Sequence, residues 1–577
     1  MIRRIAAALA ALALGACTAQ VAAPPPLASK APLASKAPQP PIEIQILAFN
    51  DFHGNIETPP PVEVTEADGT KHKITTGGAA HLAAALAGLR VGHPNTVTVS
   101  AGDTISASPL ISANYLDEPT IGAMNLLGLE VGSVGNHEFD RGVDELKRMQ
   151  SGGCAKYTRR TPCAVEPFGG ARFRYLAANV VQADGTTIFP ATAIKRFDTA
   201  AGPITIGFIG ETLKGTPNLV TPSGVRGLTF KDEAETANAL VPQLKAQGAD
   251  AIVLLMHQGG KTPQFTTGNG CEGLAGDILP VVQRLDPAIQ TIVSGHTHWA
   301  YVCRNTPAEV GSGRLLTSAG KYGYFATDLR LEFDPVSRRL IGQAAHNVIV
   351  GNGERGEDAA EKALVDRYRT AVAPIARRII GRLSAPAPNS ANDFESPAAD
   401  LIADSMLAAT RAPQDGGAQL AFISGTSVRF PLPAGAVTYE QAFAMMPFGN
   451  NLVVATFTGS QIKAALEQQY QTDLGPRRTE PQALVPSAGV TYAVDMSKPK
   501  GSRVSAVRLN GKPIAPTGKY RVALNNYLAS GGDGISVFAS GTEMTDKNVI
   551  DLDALVDWIA PGRTIPASDR VRLVPRT

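Results

Sequence analysis

Five of the nine histidines in this 577-residue chain stand in short polar clusters, each just after an apolar, β-branched run. Val131 to Gly135 runs into Asn136, His137, Glu138, Phe139 and Asp140. Ile42 to Phe49 runs into Asn50, Asp51, Phe52, His53 and Gly54, and Thr96 to Ser100 into Ala101, Gly102 and Asp103. Ala251 to Met256 ends at His257-Gln258-Gly259-Gly260, and Ile289 to Ser294 at Gly295-His296-Thr297-His298. Mixed imidazole, amide and carboxylate donors suit borderline divalent cations such as Zn, Mn, Co or Fe. His137 with Asp140 three residues on fits a second kind of chemistry, a proton donor and the carboxylate that fixes its tautomer. Glu138 is read as structural, because no His-Glu-x-x-His frame surrounds it. His72, His81, His93 and His346 lie outside the clusters and are read as solvated.

These clusters need elements that hold them together. A strand fixes the backbone, and the loop after it frees side chains for chemistry. Each run above alternates or is continuously apolar, as half-buried or buried strands are. Helical stretches separate them, notably His81 to Leu89 and Glu233 to Gln247, the latter closed by Gly248. Strands at Asn179 to Val181 and Ile204 to Gly210 extend the pattern. The alternation from Ile42 to about residue 352 predicts a layered α/β domain. Residues 353–378 read as an interdomain helix, with Ala363, Leu364, Tyr368 and Val372 on helical spacing. From Ile379 a second domain is expected to run to the C-terminus. It opens with a helix at Ser396 to Thr410 and contains a hairpin turn at Asn510-Gly511.

Composition bounds the rest. An apolar content of 44% with 18% charged residues is globular, and the length predicts two domains. Arg3 and Arg4, the apolar run Ile5 to Ala13, and Leu14-Gly15-Ala16-Cys17 form an export signal ending in a sequence that resembles the bacterial lipobox. Cys17 would then carry a lipid. Loss of Arg3 and Arg4 leaves 51 basic against 51 acidic residues, so no basic surplus points to a nucleic-acid polymer as partner. Residues 18–41 contain Pro-Leu-Ala-Ser-Lys-Ala twice in tandem and read as a tether. Cys154, Cys163, Cys271 and Cys303 invite two disulfides in an exported chain. A local 154–163 bridge is preferred, which leaves 271–303; the other pairings stay open.

The motifs D-F-H-G, A-G-D, G-N-H-E-F-D, H-Q-G-G and G-H-T-H, in that order, resemble those of the calcineurin-like metallophosphoesterases. Within that superfamily the chain resembles the bacterial 5′-nucleotidases, in particular their bifunctional 5′-nucleotidase/2′,3′-cyclic-nucleotide phosphodiesterase branch. The resemblance implies an N-terminal two-sheet α/β sandwich and a C-terminal α+β substrate domain. It implies that Asp51, His53 and His298 hold one divalent metal, that Asn136, His257 and His296 hold a second, and that Asp103 bridges them. A hydroxide between ions about 3.5–4 Å apart would attack phosphorus in line. His137, held by Asp140, would act on the scissile phosphate or its leaving group. Some relatives have Gln where this chain has His298.

In the second domain, Pro447-Phe448-Gly449-Asn450 and Tyr527 with Gly531-Gly532-Asp533-Gly534 match the family's base-binding segments. Phe448 and Tyr527 would sandwich a nucleobase, with Asn450 and Asp533 bonding base or ribose. Arg429 would grip phosphate. The chain departs from the family in two places. Ser424-Gly425-Thr426-Ser427-Val428-Arg429 stands where relatives have N-G-G-G-I-R, and Asn392 replaces the arginine of R-x-x-E. One phosphate-binding arginine is therefore missing. The expected substrate is a 5′-nucleotide outside the cytoplasm, with 2′,3′-cyclic nucleotides or UDP-sugars as the alternative.

Overall fold

The computed structural model describes residues 40–65, 69–304, 310–311, 313–351, 355–389, 395–470, 484–566 and 568–574. The export signal, the tether and Asn392 lie outside the described residues. Pro41–Thr577 forms one compact unit.

The N-terminal half is built on two six-stranded sheets. In the first, Ile42–Phe49 is central and parallel to Thr96–Ser100, which is followed in parallel by Val131–Ser133 and Arg174–Leu176. Two antiparallel strands, Phe325–Phe333 and Leu340–Ile349, complete its other side. In the second sheet, Gly202–Thr212, Ala251–His257, Ile289–Ser294 and Leu315–Ala319 run parallel, edged by antiparallel Thr192–Thr199 and Ala300–Arg304.

Alternation along the strands decides what packs where. Ile44, Ile46, Ala48, Val97 and Val99 face Ile204, Ile206, Phe208, Val253 and Leu255 in a core between the sheets. The opposite face of the first sheet, with Leu47 and Phe49, packs against the helices Ala79–Arg90 and Glu118–Leu127. Ile252, Leu254 and Met256 on the second sheet pack against the helix Glu233–Ala246. The result is helix, sheet, sheet, helix, the layered α/β sandwich expected from the sequence. Asn179 to Val181 does not join it. The strand there, Val180–Gln182, pairs with Leu228–Phe230 in a separate two-stranded ribbon.

The helix Ala359–Ala376 starts at Asp358, whose carboxylate accepts from the N–H groups of Ala360 and Glu361. Its buried Leu364, Val365 and Tyr368 sit with the helices of the first domain, and Tyr368 meets Tyr115 edge-on at 5.2 Å. The second domain has a five-stranded sheet ordered Leu484–Pro486, Leu420–Ser424, Lys519–Asn525, Asn451–Thr458, Thr542–Ile550. Ser396 caps the helix Pro397–Thr410 through the N–H of Ala399. Thr438 and Thr458 form capping boxes with Gln441 and Gln461. Asn510 and Gly511 both take positive φ between the antiparallel strands Val504–Leu509 and Lys512–Pro513, as a tight hairpin demands. Disulfides join Cys154 to Cys163 and Cys271 to Cys303, the preferred pairing.

Candidate functional site

The five polar clusters come together because their strands are parallel and end on the same side of the two sheets. That edge is where open α/β sheets place their ligands. His53 Nε2 lies 3.1 Å from His298 Nε2 and 3.9 Å from Asp51 Oδ1, and His298 Nε2 lies 3.5 Å from that same oxygen. Beside them, Asp103 Oδ2 is 3.0 Å from His257 Nε2, and Asn136 Oδ1 is 3.2 Å from His257 Nε2 and 3.0 Å from His296 Nδ1. Asp103 Oδ2 is also 3.7 Å from His53 Nε2, so this carboxylate stands between the two groups. Two triads capable of holding an ion therefore exist, Asp51-His53-His298 and Asp103-His257-His296.

The protonation states fit metal binding. His53 Nδ1–H donates to the Ser106 carbonyl at 2.9 Å and His257 Nδ1–H to the Ala101 carbonyl at 2.7 Å, which turns both Nε2 atoms toward the centre. Burial pushes His53 and His296 down to about 3 and His298 well below its usual value, so all three are neutral donors. His257 behaves differently. Burial opposes its charge, but the neighbouring Asp103 carboxylate outweighs burial and raises it to about 10. The proton on its Nε2 is the one a metal ion replaces on binding.

The local backbone is held under strain for this purpose. Asp51, His53, Asp103, His296 and His298 all take positive φ, between 47° and 72°. Non-glycine residues in that region cost about 1–3 kcal/mol each, and such outliers cluster at functional sites. Glu138 holds one of these loops. Its buried carboxylate accepts from the N–H groups of Asp103, Thr104 and Gly135 at 2.7 to 3.0 Å, which makes it structural as the sequence suggested. Gly135 is required beside it: a Cβ there would stand 2.2 Å from Asp103 Oδ1.

His137 sits beside the centre without joining the triads. Its Nδ1–H donates to Asp140 Oδ2 at 2.8 Å, and its backbone N–H donates to Asp103 Oδ1 at 2.9 Å. Nε2 has no hydrogen-bond partner among the described residues. The second domain closes over it. The Phe448 ring stacks on His137 at 6.2 Å and 20°, and the Arg429 guanidinium lies over Phe448 at 5.0 Å. Tyr527 packs on Gly532, where a Cβ would stand 2.6 Å from its ring, and its hydroxyl donates to Asp533 Oδ1 at 2.8 Å. Asp533 also accepts from Thr426 Oγ1 at 2.8 Å, and Thr426 is bonded through its N–H to Ser424 Oγ at 3.3 Å. The Ser424 and Thr426 departures thus brace the Gly-Gly-Asp-Gly loop. Asn450 is engaged away from the cleft, its side chain bonded to Asp551 at the start of the helix Asp551–Ile559.

Sequence reasoning missed two contributors. Asn50 ties strand ends together, donating to Asp51 Oδ2 and to the Gly320 carbonyl, both at 2.7 Å. The loop Gly320-Lys321-Tyr322 is the other, with the Tyr322 N–H bonded to the Asp51 carbonyl at 2.8 Å. It follows Leu315–Ala319, a further parallel strand ending at the same edge. Its position after the buried run Leu315–Ala319 was the available signal, but that run is not β-branched and the loop carries no metal donor.

The calcineurin-like phosphoesterase family model matches residues 44–300, and the model of the 5′-nucleotidase C-terminal domain matches residues 379–540. The chain is 28% identical to the Endonuclease YhcR of Bacillus subtilis over 90% of its own length, and it spans 40% of that protein. It is 28% identical to the Cell wall protein Lmo0130 of Listeria monocytogenes over 92% of its length and spans 69% of it. Among solved structures, the 5′-nucleotidase precursor from Thermus thermophilus superposes with a TM-score of 0.72 at 26% identity, covering 93% of this chain and 100% of that one.

Proposed function

We propose that this chain, which belongs to the calcineurin-like phosphoesterases that carry a 5′-nucleotidase C-terminal domain and is a metal-dependent phosphoester hydrolase, acts on 5′-nucleotides and releases phosphate from them. The observation that carries this reading is the His137–Asp140 pair, set between the two ligand triads and the Arg429–Phe448 pair of the second domain. Two divalent ions on the seven ligands would acidify water and neutralise phosphoryl oxygens. Asp51, His53 and His298 would hold one, Asn136, His257 and His296 the other, with Asp103 between the two groups. Asp140 keeps the proton of His137 on Nδ1 while Nε2 faces the scissile group. From there the imidazole, when charged, stabilises the phosphoryl oxygens or gives a proton to the leaving oxygen. Arg429 binds the phosphoryl group. Phe448 and Tyr527 offer stacking faces worth on the order of 1–3 kcal/mol per base with little base preference, and Asp533 accepts from base or ribose.

Phosphate release with Mn or Zn tests this, comparing AMP, 2′,3′-cyclic AMP, UDP-glucose and bis-p-nitrophenyl phosphate. AMP hydrolysis that disappears in Asp103→Ala is expected. Activity confined to the diesters would replace the nucleotidase reading by a phosphodiesterase one.

The site of action is proposed to be extracytoplasmic, with the protein held to a membrane by a lipid on Cys17. The two disulfides and the Listeria relative, a cell wall protein by name, support this, and no helix among the described residues is long and apolar enough to cross a membrane. Palmitate labelling of the full chain should be lost in Cys17→Ser; labelling that persists would sink the anchor.

A further inference from the structure

Two cations at the centre lack an anion. Arg429 forms no ion pair with the described residues, and its Nε is buried with no acceptor. Lys321 is the other. It stands in the loop that Asn50 and the Asp51 carbonyl clamp to the first ligand strand. Its ammonium lies over the Tyr322 ring at 4.6 Å, and that ring sits 6.0 Å from His53 and 6.1 Å from His298. No carboxylate of the described residues pairs with it. The two charges also feel each other. Burial first, and then repulsion from Arg429, push Lys321 down to about 8, and the Lys321 charge helps to depress His298.

Two mutually repelling, half-buried cations with no ion-pair partner among the described residues are costly to maintain unless an anion normally lies with them. The metal-ligating carboxylates do not pair with them: Asp51 attracts Lys321 without forming an ion pair with it, and Asp103 is bonded to His257. The charge pattern matches a phosphoryl group with two negative charges, met by a guanidinium of the second domain beside His137 and an ammonium of the first beside His53 and His298. We propose that Lys321 is the second phosphate-binding cation of this enzyme, doing from the first domain what the arginine absent at position 392 would do from the second, and that with Arg429 it favours monoester dianions over diester monoanions. The inference rests on the phosphomonoesterase reading above.

The test uses Lys321→Met and Lys321→Arg in the full mature chain loaded with Mn. Inorganic phosphate binding, measured by calorimetry, should weaken about 10–100-fold in Lys321→Met, as loss of one charge-assisted hydrogen bond implies, and recover in Lys321→Arg. For AMP the loss should fall mainly on KM, and kcat/KM on bis-p-nitrophenyl phosphate should drop less. Unchanged phosphate binding, or equal losses on both substrates together with lower metal content, would overturn the proposal and leave Lys321 as packing for Tyr322. Failure of the nucleotidase reading looks different: the wild-type protein would bind phosphate yet not hydrolyse AMP.

Discussion

At the scale of single residues, the proposed function would separate groups that bind metal from groups that move protons. The His137 ring bonds Asp140 and none of the metal-ligating side chains among the described residues. Asp140 is itself part-exposed and bonds none of those ligands either. Asp140→Asn should therefore leave metal content and KM near wild type while kcat falls about 10²–10⁴-fold, the range for a misdirected general acid. Metal analysis beside steady-state kinetics checks this. A parallel fall in bound metal would show that Asp140 supports the centre instead. His53 and His137, only two clusters apart, thus have opposite tasks: one is held neutral by burial, and the other is paired so that it can carry charge.

At the scale of elements, every ligand rides on a strand end, and the ends need outside support. His296 and His298 follow Ile289–Ser294 into a loop that leads to the edge strand Ala300–Arg304. Cys303 in that edge strand is bonded to Cys271, across a separation of 32 residues, in the loop after His257. The bridge therefore staples the loop that follows His257 to the strand that follows His296 and His298, three of the seven proposed ligands. In the chain-entropy account a loop of this size is worth about 3–4 kcal/mol. A Cys271→Ser/Cys303→Ser variant should show a lower melting temperature and faster loss of metal to a chelator, whereas unchanged chelation kinetics would confine the bridge to global stability. The Cys154–Cys163 bridge acts elsewhere. It shapes a basic insertion whose Arg160 lies over Phe443 of the second domain at 5.6 Å and bonds Asn114 Oδ1 at 2.7 Å.

At the scale of the whole molecule, the proposed reaction would draw on both halves. The first would supply the ligands, His137 and Lys321, and the second Arg429, Phe448, Tyr527 and Asp533. Contacts across them include the His137–Phe448 stack and the bond from the Tyr527 hydroxyl to the Asn218 carbonyl at 3.4 Å. In this arrangement the Phe448 ring meets His137 and Arg429, whereas Tyr527 meets Asp533 only through its hydroxyl. A base stacking on Phe448 would therefore compete with contacts inside the protein. The layered α/β fold, the ligand strands and the cysteine pairing were legible from the chain because each depends on a short pattern: alternation, a strand ending in His or Asp, or cysteines close in sequence. Asn50 bonding Gly320 was not legible, since 270 residues separate them. Nor was the repulsion between Lys321 and a guanidinium over a hundred positions away. The sequence by itself determined which side chains can bind metal and that they lie at strand ends, because residue type and local periodicity carry that information. Only the tertiary structure decided which of them converge, which carboxylates are consumed by neighbours, and which cations are left facing the centre without a partner, because charge balance in a buried site is a sum over groups that chain order does not relate.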